Sequence, residues 1–134
     1  MAYPITEIPG MGTDVAAILK KDGIRTTIGF LRAAKTPKQR LKMAAKTGID
    51  SKRVLDWATT CDRMRVKGVG AEYAQLLGAA GVKTVNDLRV RNPRNLVEMM
   101  QTANKDKRVR LLPKQKTVER WIENAKKLPS LIRY

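Results

Sequence analysis

The sequence predicts an all-α protein built from two related halves, and three observations carry that prediction. Apolar residues recur at helical spacing along the chain, no stretch alternates in the manner of a half-buried strand, and a glycine motif returns at a fixed offset. Gly10-Met11-Gly12 recurs as Gly68-Val69-Gly70, 58 positions later. The same offset pairs Ala16 with Ala74, Leu19 with Leu77, Gly23 with Gly81, Ile24 with Val82 and Thr26 with Thr84. After a short contraction, Thr36-Pro37 matches Asn92-Pro93 and Met43 matches Met99; beyond an insertion, Val54 and Trp57 match Val118 and Trp121. An ordered series of this length is not chance. The halves divide into residues 1–62 and 63–134, with the second ending in a short C-terminal extension past 128.

The elements follow in order within each half. Val15, Ile18 and Leu19 share a helix face, as do Tyr73, Leu76 and Leu77. Gly23 and Gly81 stand where a left-handed C-terminal cap is wanted. Thr26 and Thr84 are N-caps of the next helices, the latter with Asp87 completing a capping box. Thr36-Pro37 and Asn92-Pro93 place a capping side chain before a proline at the first helical position. Asp50 or Ser51 caps a helix with Val54, Trp57, Ala58 and Cys61 on its apolar face. Its counterpart carries Val118, Trp121, Ile122 and Ala125 at the same spacing. The first of these long helices is expected to run on toward Met64–Val66 and lead into the second glycine turn, so that the halves share one core.

Composition narrows the function. At 134 residues and 43% apolar the chain can build a core, and no apolar run approaches the ~18 residues of a membrane span. Met1–Thr13 lacks the basic start and apolar stretch of an export signal. A single cysteine, Cys61, suits a reducing cytoplasm, and the total absence of histidine excludes His-based triads and leaves zinc without its usual ligands. The expectation is a non-enzymatic, cytoplasmic protein with no cofactor, no metal and no membrane partner. Trp57 and Trp121 read as core anchors, and Cys61 as a small core filler.

Charge points to the partner. Against 12 Asp+Glu stand 28 Lys+Arg, a net +16, which a polyanion best explains. Residues 1–62 hold 11 cations and 6 acids, whereas 63–134 hold 17 and 6. Lys105, Lys107, Arg108, Arg110, Lys114 and Lys116 form the densest segment, either a solvated loop or a strip that tracks phosphates. Arg32, Lys35, Lys38 and Lys42 extend that surface or form an ordinary solvated helix face. With aromatics at 4%, a base-stacking platform is not expected.

The glycine turns carry the chemistry. Glycine serves where a turn needs positive φ or where a partner must approach the backbone. The helix that starts after such a turn offers unpaired N–H groups and the positive end of its dipole to an anionic oxygen. Ile8-Pro9-Gly10-Met11-Gly12, followed by Ala16 and Leu19, and Val66-Lys67-Gly68-Val69-Gly70, followed by Ala74 and Leu77, resemble the helix-hairpin-helix superfamily. The layout, with a Trp in each terminal helix, is similar to a bacterial family of double helix-hairpin-helix domains of unknown function. The resemblance implies binding of duplex DNA by its phosphates without sequence preference, and hence a place in the bacterial nucleoid.

On that reading the site comprises Arg65, Lys67, Gly68, Val69, Gly70 and Ala71 in the second turn, Gly10, Gly12 and Thr13 in the first, and the basic segment. The second turn, approached by Arg63, Arg65 and Lys67, is expected to be the main contact. The first, with Glu7, Pro9 and Asp14 about it and no cation before Lys20, is expected to be structural. The alternative is an adaptor that docks on an acidic protein or ribonucleoprotein, its hairpins serving only as architecture. Oligomeric state and the choice between DNA and RNA stay open.

Overall fold

A computed structural model describes residues 2–106 and 109–134. The described residues form eight helices in two series of four, with an isolated bridge between Pro4 and Thr26 in place of any sheet. The first series is α1 (Gly12–Lys21), α2 (Thr27–Ala33), α3 (Pro37–Thr47) and α4 (Ser51–Met64). The second is α5 (Ala71–Ala79), α6 (Val85–Arg89), α7 (Pro93–Ala103) and α8 (Gln115–Lys126). Short 3₁₀ turns occupy Ile5–Glu7 and Asn104–Asp106. The all-α expectation holds. What precedes the first glycine turn is one of those 3₁₀ turns rather than a full helix.

Local chemistry sets the boundaries. Thr26 and Thr36 accept from Gly29 and Gln39 N–H, Thr84 and Asn92 from Asp87 and Asn95 N–H, and Pro37 and Pro93 start their helices. Thr84 with Asp87 forms a reciprocal capping box, and Thr36 with Gln39 forms another. Asp50, not Ser51, caps α4 by accepting from Lys52 N–H at 2.8 Å. At the ends of α1 and α5, Ile24 N–H reaches Leu19 O and Val82 N–H reaches Leu77 O, both at 2.9 Å, with Gly23 and Gly81 left-handed between.

Each series buries its own apolar cluster, and α4 joins the two. Ile5, Leu19, Phe30, Leu31, Val54 and Trp57 belong to the first, with the Phe30 and Trp57 rings edge-to-face at 6.2 Å. Leu76, Leu77, Leu88, Leu96, Met100 and Trp121 belong to the second. Every residue of α4 from Trp57 to Met64 is buried, so this segment is covered on all sides. The 62/63 division falls within its last turn. Both termini cross between the clusters: Tyr3 packs on the second, and Leu131 and Ile132 on the first.

Burying a whole helix end puts charge inside. Asp62 is 1% exposed, and its Oδ1 accepts from Arg65 Nε at 2.9 Å and Nη2 at 2.6 Å. Its Oδ2 accepts the first N–H of α6, Val85, at 2.9 Å. Arg63 donates through Nε to Ala74 O at 2.7 Å and through Nη1 to Lys83 O at 2.9 Å. Burial pushes the Arg63 guanidinium down to about 10, with Asp62 opposing the shift, so it stays protonated at neutral pH. Gly78 on α5 leaves the space that Arg63 fills: a Cβ there would meet Nη2 at 2.7 Å.

Removing one partner from such a set strands the others without water. Asp62→Ala is therefore expected to lower unfolding free energy by about 3 kcal/mol or more. Urea denaturation followed by far-UV circular dichroism measures it; a loss within error of zero would contradict the arrangement.

Candidate nucleic-acid interface

Between α4 and α5 the chain turns in six residues. Val66 N–H closes on Arg63 O at 3.2 Å and Val69 N–H on Val66 O at 3.0 Å, which rolls Val66 and Val69 into the core and leaves Lys67 and Gly68 outside. Gly68 has φ +89°, and a Cβ there would stand 3.2 Å from Trp121 Nε1. Both facts demand glycine. Gly70 differs: at φ −88° and ψ −168° it is extended backbone that any residue adopts, and a Cβ would meet nothing within 4 Å. The fold itself does not require glycine there, and the approach to the backbone is open.

Gly70 is the N-cap of α5 and offers no side chain to the amides that follow. The same is true of α1 and α8, whose N-caps Met11 and Lys114 make no side-chain cap bond. The other five helices are all side-chain capped. The uncapped starts are thus the two helices that follow glycine turns and the helix that follows the basic segment.

The structure redistributes the expected cations. Arg65 is 8% exposed and its guanidinium points inward, held by Asp62 and by Pro129 O at 2.8 Å. The expectation that it flanks the turn is corrected: a cation two positions from an exposed turn lies on the inner side of α4's end. Arg63 is buried likewise. Lys67 is exposed beside Gly68 as expected. The missing charge comes from α8, where Lys116 and Arg120 face the turn across a cleft of about 720 Å³. No local pattern in the sequence marks Arg120, because its approach depends on how α8 packs rather than on nearness in the chain. Glu119 and Glu123 line the same cleft, Glu123 paired with Lys126 at 2.9 Å, so acids as well as cations border it.

The basic segment is anchored next to this cleft. Tyr73 Oη donates to Leu111 O at 2.9 Å, and its ring meets Trp121 at 5.2 Å. Asn104 bonds both the N–H and the C=O of Val109, and Val109 and Pro113 are buried. Lys105, Arg110, Lys114 and Lys116 are exposed along it. Lys107 and Arg108 lie outside the described residues.

The first turn is built differently. Gly10 and Gly12 are both left-handed at φ +79°, Thr13 is exposed in the first turn of α1, and Asp14 follows. A cation does reach this turn, contrary to expectation. Arg53 of α4 donates from Nη2 to Gly10 O at 2.9 Å while its guanidinium lies 5.2 Å from the Trp57 ring centroid. Its four-residue spacing before Trp57, which stacks the two side chains on one helix face, was the available signal. The equivalent position before Trp121 is Thr117.

Cys61 is buried, and that burial pushes its thiol well above the usual range, away from nucleophilic use at neutral pH. Among the described residues no three Cys, Asp or Glu side chains gather to hold a metal, and no helix is long and apolar enough to cross a membrane.

The chain belongs to a family described as a domain of unknown function (DUF4332), whose model matches residues 9–128. None of the curated proteins and none of the solved structures matches it.

The two glycines of the second turn should respond oppositely to substitution. Gly70→Ser supplies a hydroxyl to the uncapped α5 and is expected to leave stability unchanged or raise it by about 0.5 kcal/mol. Gly68→Ala forces a side chain into positive φ against Trp121 and is expected to cost about 1–2 kcal/mol. Thermal unfolding of both variants decides the matter, and equal effects would contradict the distinction.

Proposed function

We propose that this family member binds nucleic-acid backbones, duplex DNA first, without sequence preference and without catalysis, and that its glycine turns act as helix-hairpin-helix hairpins of unequal weight. The second turn is the main contact and the first an auxiliary one. The observation that carries this reading is the open, uncapped start of α5 at Gly70, flanked by Lys67 from the turn and by Lys116 and Arg120 from α8. Backbone N–H groups at such a start, with the helix dipole behind them, favour a phosphate oxygen and are indifferent to the base attached to it.

The wider charge supports the same partner. Lys105, Arg110 and Lys114 continue the cationic surface away from the cleft, and a net +16 favours association with any polyanion at low salt. Arg53 gives the first turn a guanidinium already oriented by Trp57, with donors beyond the one spent on Gly10. A nucleoid location follows if duplex DNA is the partner.

Electrophoretic shift of random duplex across a salt series tests the proposal. The native chain should bind unrelated duplexes alike, with log affinity falling linearly in log salt. Lys67→Ala and Lys116→Ala should each reduce that slope by about 1, and Arg65→Lys should leave it unchanged. Gly70→Ser should keep the slope yet weaken binding about tenfold, because its hydroxyl takes the amides intended for phosphate. Absence of any shift at low salt would sink the proposal.

A further inference from the structure

Trp121 carries an unused donor. The residue is only 2% exposed, yet its indole N–H bonds nothing among the described residues. Only Arg89 Nε is both fully buried and without a partner among them, so the Trp121 N–H opens onto the cleft beside Gly68. A buried indole usually finds an acceptor for its N–H. The first half shows the alternative. There Arg53 reaches over Trp57 and spends its own N–H on Gly10 O, so that the same place is plugged by a side chain of the chain itself. In the second half the plug is absent because position 117 is Thr, and the space is an open cleft of about 720 Å³.

What would enter must accept a hydrogen bond deep in the cleft and carry negative charge toward Lys67, Lys116 and Arg120. A phosphodiester within a continuous duplex is linked to a sugar on both sides and lies across a convex surface. A phosphate monoester has one ester link, three free oxygens and roughly −1.5 to −2 charge at pH 7. It alone can push an oxygen past the rim to the Trp121 N–H while its other oxygens meet the cations. Glu119 and Glu123 line the cleft as well, but the three cations outnumber them and Glu123 is paired with Lys126, so the net field there is positive and favours an anion in proportion to its charge.

We infer that the cleft between the Gly68 turn and α8 is a receptor for a phosphate monoester, with Trp121 Nε1–H as the innermost donor, and that it gives the chain a preference for phosphorylated nucleic-acid ends over uninterrupted duplex. This rests on the proposed reading of the same face as the phosphate-holding one, and extends it from affinity to substrate class.

The test is a titration of the full chain followed through its two indole N–H resonances, assigned with Trp57→Phe. The probes are inorganic phosphate, a 5′-phosphorylated duplex with recessed ends, and the same duplex without the phosphate. The Trp121 resonance should move with phosphate, and should move several-fold further with the phosphorylated duplex than with the unphosphorylated one, while that of Trp57 does not distinguish the two duplexes. The phosphorylated duplex should bind about tenfold tighter than its counterpart, the ratio expected of an added charge-assisted hydrogen bond.

Thr117→Arg copies the plug of the first half. It should abolish the end preference while leaving affinity for plain duplex equal or higher, since it adds positive charge. An unmoved Trp121 resonance with every probe, or an end preference that survives Thr117→Arg, would overturn the inference while leaving duplex binding to stand. A Trp121 shift with phosphate in a chain that shifts no duplex supports the monoester receptor and overturns the proposed function, the end preference with it.

Discussion

One buried carboxylate holds the two halves in register. Asp62 occupies the last turn of α4 and ties Arg65, at the end of the same helix, to the first amide of α6. The need for it follows from the repeat. In the first half the segment before the glycine turn is extended at Tyr3–Pro4, and its backbone does the joining: Ile5 N–H reaches Arg25 O at 3.0 Å, and Thr27 N–H reaches Tyr3 O at 2.8 Å. In the second half that segment is helical, so its backbone bonds are already spent along α4. The equivalent groups, Lys83 O and Val85 N–H, are met instead by the Arg63 guanidinium and the Asp62 carboxylate. Side-chain charge replaces main-chain pairing because a shared helix cannot supply the latter. Such a buried set is weak evidence for net stability, but breaking it is costly, and it fixes where the second turn points.

The asymmetry of the turns descends from this. With Arg63 and Arg65 committed to the interior, the cations around Gly68 must come from elsewhere, and α8 brings Lys116 and Arg120 while the basic segment is tethered by Tyr73 and Asn104. The first turn has its cation held by its own carbonyl and by Trp57. A duplicated sequence therefore yields one closed turn and one open one, and the difference lies in residues 53 and 117 as much as in the glycines. The C-terminal segment adds to the rigidity. Arg89 takes Leu128 O, Arg65 takes Pro129 O and Arg40 takes Arg133 O, each within 2.8 Å, across both halves.

Much of the fold was legible because it is written locally. Capping residues at 26, 36, 84 and 92, the left-handed glycines at 23 and 81, and the apolar faces around Trp57 and Trp121 all act within one or two turns of themselves. The site was legible only in part. Gly68, Gly70 and Lys67 stand where the turn motif puts them, whereas the direction of Arg65 depends on a helix buried on every side, which no local pattern reports. Arg53 and Arg120 reach their turns from helices far along the chain, and only the packing of α4 and α8 delivers them. Trp121 is the core anchor its apolar-face spacing implies, but its open N–H follows from the short side chain at Thr117, a difference between repeats that alignment of apolar positions passes over.

Everything proposed for the chain depends on whether the start of α5 is where it meets its polyanion. Titration of the isotopically labelled chain with random duplex at low salt, followed through backbone amide resonances, measures this directly. The largest shifts should cluster at residues 68–73 and 114–120, shrink as salt rises, and be smaller at residues 10–14. Shifts centred on α3, or spread evenly over the exposed lysines with the amides of Gly70 to Tyr73 unmoved, would contradict it.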